Sequence, residues 1–427
     1  MMDSPGAARP IFVQVGATRD GLDPYLHCAR RRDMRTVLVE TPAYLRRRTA
    51  LGRRRFDIDL AVARPHDPSE VAVALDEAGL TPTLLLTGFE RYAASAFAVC
   101  AMLRVTPWPG VGRSFVPVDK WGQRNALAVF APEVRQPRFA SFPSATTVSA
   151  NALVSLGFPL VVKPTDGGGG LGVFLVRSPE DVPVALDHIA GLRNYGGGEF
   201  AGLLVEQFLF GTEFSLQGVV RDSEVVILTT CEKVIAQEPV AGAATLNGFR
   251  EVGHIAVHGT HAQPELIQLA QAAIAATGYR QGPFHMDVIW DDHDPAFVEM
   301  GFRLSGGAVA GLVSRTTGTD WAEVTFCTHL GEPWPAVSPA ITGSVSGHIT
   351  AMTEQELAAA DALRNFGVDV EVQRFSSAAP GGNEAAQELA ADLLRHAGAI
   401  GRIIVTGTDA ADVRDQLEGC LAAQLRR

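Results

Sequence analysis

The 427-residue chain carries a formal charge of −11, and 47% of its residues are hydrophobic. The acidic balance argues against nonspecific binding of nucleic acid, which needs cationic surface to displace counterions. No apolar run approaches the ~20 residues of a bilayer span, so no membrane partner is expected.

The chain opens MMDSPGAARP and passes straight into the strand-like IFVQV, without a basic segment leading into a long apolar one. A cytoplasmic location is therefore expected. Ile11–Val15 reads as a strand ending at Gly16, followed by a helix over Leu22–Arg31 and a strand over Thr36–Glu40. Ser69–Leu80 has the pattern of an amphipathic helix capped by Ser69. Thr83–Thr87 is a further strand and Tyr92–Arg104 a further helix. This alternation predicts a parallel sheet with crossover helices, a small Rossmann-like domain over 1–110. The cluster Arg46, Arg47, Arg48, Arg53, Arg54 and Arg55 reads as solvated surface rather than an anion site.

A link containing Pro107, Pro109 and Pro117 leads to a helix over Asp119–Leu127, and residues 111–335 carry every chemical motif. The segment 336–427 alternates again, with helices over Gln355–Phe366, Glu384–His396 and Asp409–Leu425. Its strands are Val368–Phe375 and Ile400–Thr406, and Ala378–Asn383 is a loop. The cysteines, Cys28, Cys100, Cys231, Cys327 and Cys420, lie far apart without a C-x-x-C, which suits reduced core thiols.

The most informative stretch is Phe158–Val176, FPLVVKPTDGGGGLGVFLV. Gly167, Gly169 and Gly172 satisfy G-x-G-x-x-G, but a dinucleotide site needs a helix after the loop. Here apolar β-type runs flank it, so the loop joins two strands. No G-K-[ST] closes the loop, and the kinase H-R-D and D-F-G motifs are missing. Lys163 ends an apolar strand, where a lysine calls for an anion. Glycines let backbone N–H groups approach phosphate oxygens, and such a loop can close as a lid that excludes water.

In order along the chain, four segments resemble the ATP-grasp superfamily, and within it carboxylate–amine ligases of the L-amino-acid (dipeptide) ligase type. They are Asp119-Lys120, Lys163-Pro164 with the glycine loop, LLVEQFLFGTEFSLQGVV (203–220) and HMDVIWDDHDPAFVEMGFRLSGG (285–307). The segment GRIIVTGTDAADVRDQL also looks like the C-terminal domain of these ligases. The resemblance implies an α/β (α+β) ATP-grasp fold with a glycine-rich lid subdomain at about 145–210. It implies ATP on Lys120, Lys163, Gly168, Gly169, Gly170 and Gly172, with a hinge at Glu206, Phe208 and Leu209 binding adenine through backbone groups. Glu213 would take the ribose hydroxyls, and Arg303 would stabilise the transferring phosphoryl group. Asp287 and Glu299, on two strands around the solvated turn Asp291–Pro295, form an oxygen-only pair suited to Mg²⁺ or Mn²⁺.

The implied reaction activates a small carboxylate as an acyl phosphate and transfers it to an amine, with amino acids as the expected substrates and a homodimer as the usual assembly. Ser305, Gly306 and Gly307 would hold the intermediate or a substrate carboxylate. His254 is open between a base for the amine and a structural histidine, and His285 between catalysis and packing beside the metal strand. One departure stands out: the family's Glu-x-Asn-x-Arg, whose asparagine is a further metal ligand, reads Glu299-Met300-Gly301-Phe302-Arg303, which leaves one or two metals open, with a water or a bidentate Glu299 as the substitute ligand. A biotin-carboxylase-like bicarbonate activator and a nonenzymatic ATP-binding protein are the alternative readings.

Overall fold

The computed structural model describes residues 9–19, 21–105, 118–148, 150–194, 199–291, 293–306, 308–335, 344–375 and 399–421. Strands β1 (Ile11–Val15), β2 (Arg35–Glu40), β3 (Ile58–Ala61) and β4 (Leu84–Thr87) form a parallel sheet in the order β3-β2-β1-β4. Helices α1 (Pro24–Arg31), α2 (Pro42–Ala50), α3 (Pro68–Glu77) and α4 (Ala93–Leu103) complete this unit. The order reverses between β1 and β4, the switch point where open α/β sheets leave a crevice at their carboxyl ends.

Two details differ from expectation. Helix α3 begins at Pro68 and is capped by Asp67, whose side chain accepts from the Ser69 amide, so Ser69 sits inside the first turn. Proline pre-sets the first helical residue, and a carboxylate suits the dipole better than a hydroxyl. The first half of the arginine run, Arg46, Arg47 and Arg48, folds into α2, capped by Thr41, and this turns Arg47 and Arg48 inward. Arg48 Nη1 lies 2.7 Å from the buried Asp23 Oδ2, so part of the supposed surface cluster is an internal ion pair.

The middle of the chain follows as α5 (Lys120–Phe130), β5 (Phe139–Phe142), α6 (Ala150–Leu156), β6 (Leu160–Pro164), β7 (Phe174–Val176), α7 (Asp181–Gly191) and β8 (Leu203–Gln207). Then come β9 (Thr212–Arg221), β10 (Glu224–Val240), β11 (Ala243–His258), α8 (Pro264–Thr277), β12 (Gly282–Trp290), β13 (Pro295–Gly301), α9 (Val309–Thr317) and α10 (Trp321–Leu330). The last described elements are β14 (Val345–Ala351), α11 (Glu354–Asn365), β15 (Asp369–Arg374), β16 (Gly401–Gly407) and α12 (Ala410–Leu421). The expected helix over 384–396, the loop 378–383 and the proline link lie outside the described residues.

Strands β5 to β16 pair antiparallel in one twelve-stranded sheet, with the path β13-β12-β9-β10-β11-β7-β6-β8-β5. The glycine loop joins β6 to β7 as an antiparallel hairpin, Leu160 opposite Val176, as the flanking apolar runs predict. Strand β11 carries the join between subregions: it meets β7 at Asn247 and Gly248 and β14 at Gly253–Ala256. The parallel sheet packs onto this body through Phe12, Tyr25 and Leu26 against Trp321 and Phe326 of α10. Trp321 Nε1 donates to the Gly218 carbonyl of β9 at 3.0 Å, fixing α10 to the large sheet. Among the described residues no helix is long and apolar enough to cross a membrane.

Candidate active site

Helix α5 brings the first cations in. Asp119 caps it by accepting from the Gly122 amide, and Lys120, Gln123 and Arg124 then share one face at i, i+3 and i+4. Gln123 exchanges two hydrogen bonds with the Met300 main chain, 2.6 and 2.9 Å, which clamps α5 onto β13. Arg124, fully buried, donates from Nε to Glu206 Oε1 at 2.7 Å and from Nη1 to the Phe297 carbonyl at 2.9 Å. Lys163 of β6 reaches the other oxygen of Glu206 at 2.6 Å. The anion that Lys163 requires in its apolar strand is thus supplied by Glu206.

The electrostatics follow from burial and company. Burial pushes the Lys163 ammonium below the ordinary lysine range; Glu206 opposes this, while Arg124 and Lys120 reinforce it. Burial works to raise Glu206, but Arg124 and Lys163 outweigh it and hold the carboxyl low.

The two expected metal ligands stand directly opposite each other, Asp287 on β12 and Glu299 on β13, with a bulge just after Asp287. Lys120 Nζ lies 2.9 Å from Glu299 Oε2 and also donates to the Gly167 carbonyl at 2.6 Å. Lys233 of β10 lies 2.6 Å from Asp287 Oδ2, 2.7 Å from Glu213 Oε1 and 3.7 Å from Glu251 Oε2. Burial opposes the Lys233 charge, yet these carboxylates outweigh it and carry its pKa well above the ordinary value. Burial raises Asp287 and Glu213 despite Lys233, whereas Lys120 and Lys163 overcome burial and hold Glu299 far down.

Asp287 Oδ1 is buried without a hydrogen-bond partner among the described residues. An orphaned carboxylate oxygen facing a second carboxylate, in an oxygen-only set, fits a hard divalent cation. The other cluster of ligand-type side chains, Glu323, Cys327 and Glu332, is different: Arg32 pairs with both glutamates, so it is an ion-pair network.

Arg303 lies beside the turn that follows β4, at the carboxyl end of the parallel sheet. Its Nε lies 2.9 Å from Oε2 of Glu90, in the short helical turn Glu90–Tyr92 after β4, and neither Glu90 oxygen accepts a hydrogen bond from a described residue. His285 stands opposite Gly301 in the strand register. A Cβ built on Gly301 would meet His285 Cε1 at 2.1 Å and Glu90 Oε2 at 2.5 Å. The space of the missing asparagine is therefore filled by His285 and Glu90. Burial and the Arg303 charge press the His285 pKa down to about 4, so the ring is neutral near pH 7. Ser305 and Gly306 form the turn into α9, where Gly306 accepts from the Val309 amide; Gly307 lies outside the described residues.

At the hinge, the Phe208 amide donates to the Pro159 carbonyl at 3.1 Å, and its ring stacks on Phe249. Leu209 follows in the open segment between β8 and β9, and Glu213 lies on β9 beside Ile289 of β12. In the loop, Gly169, Gly170 and Gly172 have positive φ. A Cβ on Gly170 would stand 2.9 Å from the Phe249 carbonyl, so the loop approaches β11 in a way only glycine permits. His254 is buried opposite Lys233 on β11; its Nδ1 lies 3.4 Å from His348 Nε2 and its Nε2 3.8 Å from Glu251 Oε1.

Three residues of this site escape a reading of the sequence. Arg124 had a signal, its helical spacing from Lys120. Lys233 had only the strand alternation that places it on the face of Cys231, and Glu90 had none beyond following an apolar strand.

Residues 119–307 match the family model described as an ATP-grasp domain, and the chain has an ATP-grasp fold. It is similar to dapdiamide A synthase of Enterobacter agglomerans, 23% identical over 163 residues, which span 38% of this chain and 37% of that protein. The structure of an L-amino acid ligase from Bacillus licheniformis superposes with TM-score 0.66 at 15% identity, covering 97% of this chain and 98% of that one. The biotin carboxylase domain of a Hydrogenobacter thermophilus 2-oxoglutarate carboxylase, solved with MgADP and bicarbonate, gives TM-score 0.59 at 15% identity over 97% and 90%.

Proposed function

We propose that the chain is an ATP-dependent carboxylate–amine ligase that forms an amide or peptide bond through an acyl phosphate, releasing ADP and phosphate. One observation carries this reading: Lys120 holds the glycine-loop carbonyl of Gly167 and the carboxylate of Glu299 at once, so flap and acid pair meet over one cation. A triphosphate entering there would find Lys120 and Lys163 already oriented, each released from a carboxylate to a phosphate. Phe208 and Leu209 would border the adenine, and Glu213 the ribose. Asp287 and Glu299 would hold Mg²⁺, which when bound neutralises phosphate charge. Gly168, Gly169, Gly170 and Gly172 would offer backbone N–H groups to the phosphates while the closed loop excludes water.

Arg303 would stabilise charge on the transferring phosphoryl group and on the acyl phosphate. Beside it, Glu90 is ion-paired to Arg303 through Oε2, and its Oε1, which accepts no hydrogen bond from a described residue, would be offered to a substrate ammonium, with Ser305 and Gly306 nearby. This pairing of one cation with one anion favours a zwitterionic amino acid as substrate. The similarity to dapdiamide A synthase and to an L-amino acid ligase supports the same class. His254 would act on the incoming amine only through Glu251 and Lys233, which separate it from the acid pair.

The test is phosphate release from ATP and Mg²⁺ with pairwise amino acids, followed by mass spectrometry. Amide products with stoichiometric ADP are expected. Turnover that requires bicarbonate and yields no amide would move the chain to the carboxylating reading; nucleotide binding without any turnover would make it a binding protein.

A further inference from the structure

Glu90 and Arg91 are consecutive in one turn and face opposite partners. Glu90 meets the Arg303 guanidinium across the crevice. Arg91 donates from Nη1 to Oδ1 of Asn194, beyond the end of α7 in the glycine-loop subregion. Asn194 is only 3% exposed; its amide group donates to the Glu199 carbonyl at 2.8 Å and reaches Asp166 Oδ2 at 3.4 Å. Asp166, whose other oxygen accepts from the Ala201 amide at 3.0 Å, is the residue before Gly167. The root of the flap is thus tied to the parallel sheet through Arg91 and to the acid pair through Lys120.

The turn that does this is stiff. Tyr92 is buried with its hydroxyl 3.2 Å from Glu40 Oε1, its ring meets Phe89 edge-on, and the Phe89 carbonyl accepts from the Thr87 hydroxyl at 2.8 Å. A shift of Glu90 toward a bound substrate therefore carries Arg91 with it.

We propose that Arg91 is a positioning residue of the ligase reaction, a latch that couples closure of the glycine flap to occupancy of the crevice at Glu90. The inference rests on the ligase reading above. With the latch made, the flap stays shut over the acyl phosphate until the amine attacks. With it broken, water attacks the acyl carbon instead, phosphate leaves, the carboxylate is regenerated, and the net reaction is ATP hydrolysis.

The experiment uses the full chain with Arg91→Met, which keeps the aliphatic stem, Arg91→Lys, which keeps the charge, and Asn194→Ala. Stopped-flow release of a fluorescent ADP analogue with Mg²⁺ should speed up about tenfold in Arg91→Met, the scale of one buried charge-assisted hydrogen bond. Arg91→Lys should fall between this and the parent. Amide formed per ADP should drop below that of the parent in Arg91→Met. The double variant Arg91→Met/Asn194→Ala should release no faster than Asn194→Ala alone, because removing Asn194 already breaks the Arg91 contact along with its bonds to Glu199 and Asp166. Parental release rates and product ratio in Arg91→Met, or additive effects in the double variant, would overturn the latch. Analogue binding without amide from any substrate pair would sink the ligase reading alone, and the release rates would still judge the latch.

Discussion

Lys233 Nζ lies 2.6 Å from Asp287 Oδ2, so the acid proposed as a ligand for a divalent cation is paired with a lysine of β10. The same ammonium serves Glu213 at 2.7 Å and stands 3.7 Å from Glu251. One buried cation thus balances three carboxylates, and the geometry makes it the electrostatic keystone of the cleft.

Lys233→Met should therefore be strongly destabilising near pH 7, by about 3–5 kcal/mol, the range for breaking a buried pair and stranding its partner. Asp287 and Glu213 already have raised pKa values, from burial first, then from Glu299 and Glu251 at Asp287 and from Asp287 and Glu251 at Glu213, and loss of Lys233 raises them further. A carboxyl whose folded pKa exceeds its unfolded one binds more protons when folded, so the variant regains stability as pH falls through that raised range. Thermal melts at pH 7.5 and pH 5.5 read this directly. Equal melting points for parent and variant at pH 7.5 would remove Lys233 from its role.

Lys163 predicts a proton linkage. Burial holds its pKa below the ordinary lysine range in the free chain, helped by Arg124 and Lys120. A phosphate bound beside it favours the charged form, so its pKa rises on binding. In the window between the free and bound values, nucleotide binding should take up a proton and weaken as pH rises. Calorimetry of ADP binding in buffers of different ionisation enthalpy, above pH 8, measures the uptake. Lys163→Arg should abolish the linkage, since guanidinium does not titrate there; uptake that persists in this variant assigns the proton elsewhere.

How much of this site can be read from sequence depends on whether its contacts are local. The β6–β7 hairpin was legible because apolar runs on both sides of the glycines leave a strand–turn–strand as the simple solution. Asp287 and Glu299 were legible for the same reason, since a hairpin around Asp291–Pro295 brings them opposite. Lys233 was not, because its partners Glu213 and Asp287 lie on β9 and β12 and only sheet order brings them together. Glu90 sits in a three-residue turn with no periodicity of its own, and its importance comes from packing the parallel sheet against β13. Helix α2 was hidden by its arginines, which a count of charges assigns to solvent and which Asp23 draws inward.

Glu299→Gln tests the acid pair with little change of shape. The amide cannot neutralise Lys120 and is a poor cation ligand, so Mg²⁺-dependent ADP formation should fall by about a hundredfold or more. The Glu299 side chain is 28% exposed and keeps partial access to water, so the melting point should move by only a few degrees. Mn²⁺ titration followed by electron paramagnetic resonance gives a second readout independent of turnover. Undiminished Mn²⁺ affinity in the variant would reject Glu299 as a ligand.

The departure at Gly301 gives the sharpest test, because it concerns a side chain that cannot be restored alone. Gly301 lies in regular strand β13, so no unusual backbone angle demands glycine; contacts do. A Cβ there would stand 2.1 Å from His285 Cε1 and 2.5 Å from Glu90 Oε2, inside the van der Waals limit of both. Gly301→Asn should therefore displace the ring, disturb the Glu90–Arg303 pair and lower stability by about 1–3 kcal/mol, the usual scale of overpacking. His285→Ala alone opens a small cavity and should cost about as much through lost packing. Combined, the two changes occupy and vacate the same space, so the double variant should lie well above the sum of the singles. Its asparagine oxygen would also join Asp287 and Glu299, and Mn²⁺ affinity should exceed that of the parent chain. Melting curves and Mn²⁺ titrations of the four proteins decide the matter. Additive losses of stability with unchanged cation affinity would show that His285 does not occupy the place of the missing ligand.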